Sequence, residues 1–122
     1  MKYIIIDDEP IARRGIEKLA GQIGSLKLVG SFENAGAAGV FMIANQVDLV
    51  FLDIQMPGMD GMETAKVLRQ DNENMILIFV TAAEEYVFQA FDVGAFHYLV
   101  KPFSDEKFKE VVTKAVHNIK RS

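Results

Sequence analysis

The chain has 122 residues, half of them apolar and a quarter charged, which bounds it to one globular domain with a core of its own. It has no cysteine, so disulfides and thiolate zinc sites are excluded. A net charge of -4 argues against binding along a nucleic-acid backbone by this domain.

Met1 leads straight into Lys2-Tyr3-Ile4-Ile5-Ile6 and two acids. That start has neither the apolar stretch nor the small-residue cleavage site of a signal peptide. No apolar run approaches the roughly 18 residues of a membrane span. The expectation is a cytoplasmic protein with no membrane partner.

Short apolar runs alternate with helix-length amphipathic stretches. The first strand is read from Lys2 to Ile6, and Pro10 then suits a first helical position, with Ile16, Leu19, Ala20 and Ile23 forming one stripe. A second strand runs from Lys27 to Phe32, followed by a helix from Asn34 to Gln46 in spite of Gly36 and Gly39. The third strand is Leu49 to Leu52. Asp60-Gly61-Met62-Glu63, an N-cap with an acid three residues on, then opens a helix to about Gln70. The fourth strand is Met75 to Val80, with a helix from Glu84 to Val93. The fifth is Tyr98 to Val100. Ser104 caps a last helix that carries Phe108, Val112, Ala115 and Ile119 on one face. Gly24, Gly30, Gly58 and Gly94 fall at or near turns.

Three of the strands are almost continuously apolar, as strands buried on both faces are. The order βαβαβαβαβα therefore predicts one open parallel sheet, doubly wound, with helices on both faces and right-handed crossovers. Ligands of such sheets sit beyond the carboxyl ends of the strands, where the strand order reverses.

The residues at those carboxyl ends are of particular types. The first strand ends in Asp7-Asp8-Glu9, the third in Asp53, the fourth in Thr81-Ala82 and the fifth in Lys101-Pro102. Two carboxylates about 4 Å apart repel by about 4 kcal/mol at an effective dielectric of about 20. A cluster of them in a cleft calls for a cation. Oxygen ligands that leave room for water suit Mg²⁺. Lys101 adds a positive charge suited to a phosphoryl oxygen, and Thr81 adds a hydroxyl. A carboxylate can attack phosphorus and form an aspartyl phosphate, with the cations stabilising the transferring group. The first loop is acidic and has no glycine, unlike the Gly-rich turns that cradle the phosphates of nucleotides.

These residues resemble the receiver domains of bacterial two-component response regulators, the CheY-like family. The likeness rests on Ile6-Asp7-Asp8-Glu9-Pro10, on Leu52-Asp53-Ile54-Gln55-Met56-Pro57-Gly58-Met59-Asp60-Gly61, on Val80-Thr81-Ala82 and on Tyr98-Leu99-Val100-Lys101-Pro102-Phe103. It implies a flavodoxin-like (βα)5 fold with strand order 2-1-3-4-5. It implies Asp53 as phospho-acceptor, and Mg²⁺ held by Asp8, Asp53 and the backbone carbonyl of Gln55, with Asp7 acting through water. Lys101 would contact the phosphoryl group and form a cis bond to Pro102. Thr81 would move toward the phosphoryl oxygen, and Tyr98, at the aromatic switch position, would swing inward with it.

A finer likeness, over Ile11-Ala12-Arg13-Arg14-Gly15 and Glu84 to Tyr98, is to receivers that precede a LytTR-type DNA-binding domain. The resemblance then implies a sensor histidine kinase as phosphoryl donor, a homodimer on phosphorylation, and DNA contact only through an output domain outside these residues. A stand-alone receiver acting through protein contacts is the alternative.

Val87 and Phe91, four apart on the fourth helix, are expected to lie partly exposed near Tyr98 and to form a docking or dimer surface with it. Tyr86, Ala90 and Val93 share another stripe, with Phe88 to one side. Core packing is the plainer reading of these residues. His97 and His117 read as solvated, Met42, Met62 and Met75 as core filling, Met56 and Met59 as loop residues, and Lys114, Lys120 and Arg121 as a solvated helix face. Gln55 and Ala83 flank the site where the family tunes dephosphorylation.

Beyond its own phosphorylation and dephosphorylation the chain is expected not to be an enzyme. An Mg²⁺-dependent phosphohydrolase needs a general acid two residues after its nucleophile on the first strand and usually a cap domain, whereas here Asp7 and Asp8 are adjacent. A nucleotide-binding flavodoxin-like module is opposed by the acidic first loop.

Overall fold

The structure, a computed structural model, describes residues 1–56, 59–70, 72 and 74–121, and at 59–60 and 119–121 the backbone alone. The expectations for Pro57, Gly58, the side chains of Met59, Asp60 and Ile119, and the solvated face at Lys120 and Arg121 lie outside the described residues.

Five parallel strands form one sheet: β1 (Lys2–Ile6), β2 (Lys27–Phe32), β3 (Leu49–Leu52), β4 (Ile76–Thr81) and β5 (His97–Val100). Their order is β2-β1-β3-β4-β5, as expected. The helices are α1 (Pro10–Ala20), α2 (Ala35–Ala44), α3 (Gly61–Gln70), α4 (Val87–Asp92) and α5 (Asp105–Arg121). After β3 a two-residue antiparallel ladder joins Gln55–Met56 to Met59–Asp60.

Alternation along the strands splits the core in two. Ile4, Ile6, Val50, Leu52, Leu77 and Phe79 face Ala38 of α2, Ala65 and Leu68 of α3 and Ala90 of α4. Tyr3, Ile5, Phe51, Ile78 and Val80 face Ile16 and Ala20 of α1 and Phe108, Val111, Val112 and Ala115 of α5. Every residue of β3 and β4 is buried, which accounts for their unbroken apolar runs. Phe108 stacks on Phe51 at 5.5 Å and on Phe103 at 5.8 Å, which seats α5 on the sheet.

The expected stripes hold in α1 and α5, with Leu19 and Ile23 half-buried beside Ile16 and Ala20. The Ser104 hydroxyl accepts from the Lys107 amide at 3.0 Å, as an N-cap does. Helix α2 is shorter than Asn34 to Gln46. Asn34 caps it by accepting from the Ala37 amide at 2.8 Å, and Asn45 bonds back to the Phe41 carbonyl at 2.9 Å. Helix α4 is also shorter than expected, because Glu84 to Tyr86 belong to a loop held by Thr81 and Tyr98. Strand β4 starts one residue later than expected and includes Thr81, and β5 starts one residue earlier, at His97.

Gly30 is not at a turn. It lies inside β2, where the register to β1 slips between Tyr3 and Ile4, and a Cβ there would meet the Phe32 ring at 2.5 Å. Gly94 does make the turn after α4, at φ 75°. His97 is half-buried rather than solvated, since its Nδ1 accepts from the Tyr98 amide at 2.8 Å, whereas His117 is exposed. Met75 is buried and Met42 and Met62 pack against the core, as read, but Met56 is a core residue as well.

Candidate functional site

The chain leaves β1 toward β2 on one side and returns through β3 on the other, so the strand order reverses between β1 and β3. The parallel ladder runs one residue past each strand. The Asp7 amide donates to the Phe32 carbonyl and the Asp53 amide to the Ile6 carbonyl, both at 3.0 Å. The Lys101 amide donates to the Thr81 carbonyl at 2.8 Å. Sheet hydrogen bonds thus fix the backbones of Asp7, Asp53 and Lys101 at one edge, before any side-chain contact is considered.

The side chains then converge. Asp7 is 1% exposed, Asp53 4% and Thr81 0%. The Lys101 ammonium lies 2.8 Å from Asp7 Oδ2 and 3.3 Å from Asp53 Oδ2, joining residues 94 and 48 positions away. Asp7 Oδ1 accepts from the Glu9 amide at 3.0 Å, and Asp53 Oδ1 accepts from the Gln55 amide at 2.9 Å. Asp8 is half-buried and has no hydrogen bond or ion pair among the described residues. One oxygen from each of Asp7, Asp8, Glu9 and Asp53 lies within 4.8 Å of the others. The Arg13 guanidinium reaches back from α1 to the Asp7 carbonyl at 2.6 Å.

The charges do not balance. Four carboxylates gather here, and the ammonium of Lys101 touches two of them, Asp7 and Asp53. Burial by itself pushes the Lys101 ammonium down, but its hydrogen bond to Asp7 and the charges of Asp53 and Asp7 outweigh this and raise it above the ordinary lysine value. Lys101 therefore stays a cation, and the remaining negative charge is the kind that a small divalent cation neutralises. The donor set fits Mg²⁺: hard oxygens, one side chain without a partner, and a lysine placed against two of the carboxylates.

Thr81 closes the end of β4, with its hydroxyl accepting from the Ala83 amide at 3.3 Å. Tyr98 lies inside, 8% exposed, with its ring against Phe79 at 5.8 Å and its hydroxyl donating to the Ala83 carbonyl. This corrects the reading of Tyr98 as docking surface: burial and that hydrogen bond take its ring out of solvent. Burial, then the charge of Glu85, raise the Tyr98 phenol. Val87 is half-buried against the same core as Tyr98, and Phe91 is 59% exposed. Phe88, read as lying to one side, is more open than Phe91, at 80%. The Lys101-Pro102 bond is cis.

The Glu9 carboxylate and Arg13 were not among the expected site residues. A cation one helical turn beyond an acidic loop was the signal for Arg13.

An acidic cluster at the carboxyl ends of β1 and β3, with a lysine from beyond β5, sits at the switch point of a five-stranded parallel sheet, the flavodoxin-like α/β fold. The chain belongs to the response regulator receiver domain family, whose model matches residues 3–113. Receiver domains are the signalling modules of two-component systems, partner with sensor histidine kinases, and bind Mg²⁺ at an acidic pocket. The chain is similar to the transcriptional regulatory protein LytR of Staphylococcus aureus, 34% identical over 93% of this chain and 46% of LytR. It is 37% identical to the positive alginate biosynthesis regulatory protein of Pseudomonas aeruginosa, over 94% of this chain and 47% of that protein. Both are LytTR-type regulators, in keeping with the finer likeness. The chain spans about half the length of these curated relatives.

Among solved structures, the response regulatory domain of mrkE from Klebsiella pneumoniae superposes over the whole of both chains, with a TM-score of 0.94 at 30% identity. The response regulator TrrA from Thermotoga maritima, solved with Mg²⁺-BeF, is 30% identical over 93% of this chain and 97% of its own, with a TM-score of 0.80. Among the described residues no helix is long and apolar enough to cross a membrane.

Proposed function

We propose that this domain is a cytoplasmic phosphorylation switch that takes a phosphoryl group onto Asp53 from a sensor histidine kinase. The observation that carries the reading is the Lys101 ammonium spanning Asp7 and Asp53 beside two further carboxylates. In the transfer, a carboxylate oxygen of Asp53 attacks phosphorus and the bond from phosphorus to the donor nitrogen breaks. The Gln55 amide holds Asp53 Oδ1 and orients the carboxylate. Lys101 follows the charge onto the phosphoryl oxygens, and Asp7 keeps the ammonium in place. Asp8, Asp53 and the Gln55 carbonyl would hold Mg²⁺, with Asp7 acting through water. When bound, the ion supplies positive charge against the transferring phosphoryl group.

The Thr81 hydroxyl ends β4 and faces the loop that Tyr98 also holds. Drawing Thr81 toward a phosphoryl oxygen would release the Ala83 amide and alter the surface of α4, β5 and α5. Phe91 and Val87, with Phe88, would meet a partner or a second copy there. The output would be transcription, through a DNA-binding domain outside these residues. The domain would catalyse no reaction beyond its own phosphorylation and dephosphorylation.

Intact mass after incubation with acetyl phosphate tests this. One added phosphoryl group that needs both Mg²⁺ and Asp53, and is lost in Asp53→Ala, is expected. No adduct on a folded protein that responds to Mg²⁺ would point to a receiver that no longer accepts phosphate from small donors.

A further inference from the structure

We propose that Arg13 is a positioning residue of the acidic site: by holding the Asp7 carbonyl it sets the turn that presents Asp8 to a divalent cation. The proposal rests on the reading of the site given above. Asp7 is tied at four atoms. Its amide donates to Phe32 at 3.0 Å, its Oδ1 takes the Glu9 amide at 3.0 Å, its Oδ2 takes Lys101 at 2.8 Å, and its carbonyl takes Arg13 Nη1 at 2.6 Å. Asp8 has no hydrogen bond or ion pair of its own among the described residues, so its place follows from that of Asp7. The Arg13 amide also closes the first turn of α1 on the Glu9 carbonyl at 3.1 Å. One residue thus braces the acidic turn from both its main chain and its side chain.

The alternative role for a guanidinium here is charge alone, and the two roles differ in sign. A cation near the pocket opposes a second cation, so removing its charge would tighten Mg²⁺ binding. A brace that fixes a ligand raises affinity, so removing it weakens binding, as the loss of outer partners of metal ligands does. The planar fork of Arg13 is suited to bracing a carbonyl, and lysine does not reproduce that geometry.

The test is calorimetric titration of MgCl₂ into the chain as wild type, Arg13→Met and Arg13→Lys, with Asp8→Asn to localise the heat and thermal melting of each by circular dichroism. Arg13→Met is expected to weaken Mg²⁺ binding on the order of tenfold, and Arg13→Lys by less. A general role in the stability of α1 would lower the melting temperature without moving the Mg²⁺ dissociation constant, so an unchanged or tighter constant in Arg13→Met overturns the proposal while the wild-type site stands. A wild type that takes up no Mg²⁺ overturns the reading of the site, and this proposal with it. If Arg13→Met gives no cooperative melt, Arg13→Lys decides, and wild-type affinity in that variant overturns the proposal.

Discussion

Tyr98 donates its hydroxyl proton to the carbonyl oxygen of Ala83, so the aromatic ring of β5 and the loop after β4 are joined inside the protein. The same loop is held at the Ala83 amide by Thr81. Tyr98→Phe removes the hydroxyl and leaves a carbonyl without its donor, at a cost of about 1 kcal/mol. A melting temperature lower by roughly 4 °C is expected, read by circular dichroism. Unchanged stability would mean that water replaces the hydroxyl without loss.

Lys101→Met removes the ammonium from Asp7 and Asp53 and leaves two buried carboxylates facing each other. In chelator-treated buffer the variant is expected to lose about 2 kcal/mol, the scale of a hydrogen bond to a charged group. Millimolar Mg²⁺ should narrow the gap, because a second cation then supplies the missing charge and binds only the folded state. Urea unfolding with and without Mg²⁺ measures both quantities. A loss that Mg²⁺ leaves unaltered would separate the lysine from the metal site.

Two phenols are held above their ordinary value. Tyr3 is raised by burial and then by Glu17, and Tyr98 by burial and then by Glu85. For an acid so shifted, the folded state favours the proton-bound form. The associated stability is whole below the ordinary value of 10.0 and is lost as pH rises through the folded values. Phenolate absorbance on alkaline titration should therefore show late-ionising tyrosines whose release accompanies unfolding. Tyr98→Phe should make the alkaline loss of stability shallower. Release of Tyr3 and Tyr98 at the ordinary value, without unfolding, would contradict their burial.

Two glycines of the helices should respond in opposite ways. Beyond its chain neighbours and the backbone of its own helix, no atom lies within 4 Å of where a Cβ on Gly39 would stand, so Gly39→Ala is expected to stabilise α2 by up to about 1 kcal/mol. A Cβ on Gly61 would stand 2.4 Å from the Ile54 Cα. Gly61→Ala is expected to cost about 1–3 kcal/mol, because the backbone directly after Asp53 must move. Denaturant midpoints of the two variants decide both signs.

What could be read from the chain alone follows physical periodicity and residue type. The unbroken apolar runs at Leu49 and Ile76 announced strands covered on both faces, and the acids and lysine placed at strand ends announced the pocket. What escaped depended on three-dimensional contact. Arg13 reads as one of two surface arginines until its Nη1 is seen on the Asp7 carbonyl. Gly61 reads as part of a helix cap until Ile54 is seen against it. The short α4 was hidden because Glu84 to Tyr86 have helical character, yet the loop answers to Thr81 and Tyr98 instead. The inward place of Tyr98 and the openness of Phe88 were hidden likewise, since both turn on which neighbour each ring meets.

Strand β3 is buried along its whole length and bonded on both sides, to β1 and to β4. In heavy water its amides should be among the last to exchange, since they open only when the whole domain does. Asp53 follows that strand directly and shares its ladder through the Ile6 carbonyl. The candidate acceptor is thus expected to be a fixed post in the slowest-exchanging part of the molecule, and motion coupled to it is expected at the rim, in the six-residue α4 and its loop.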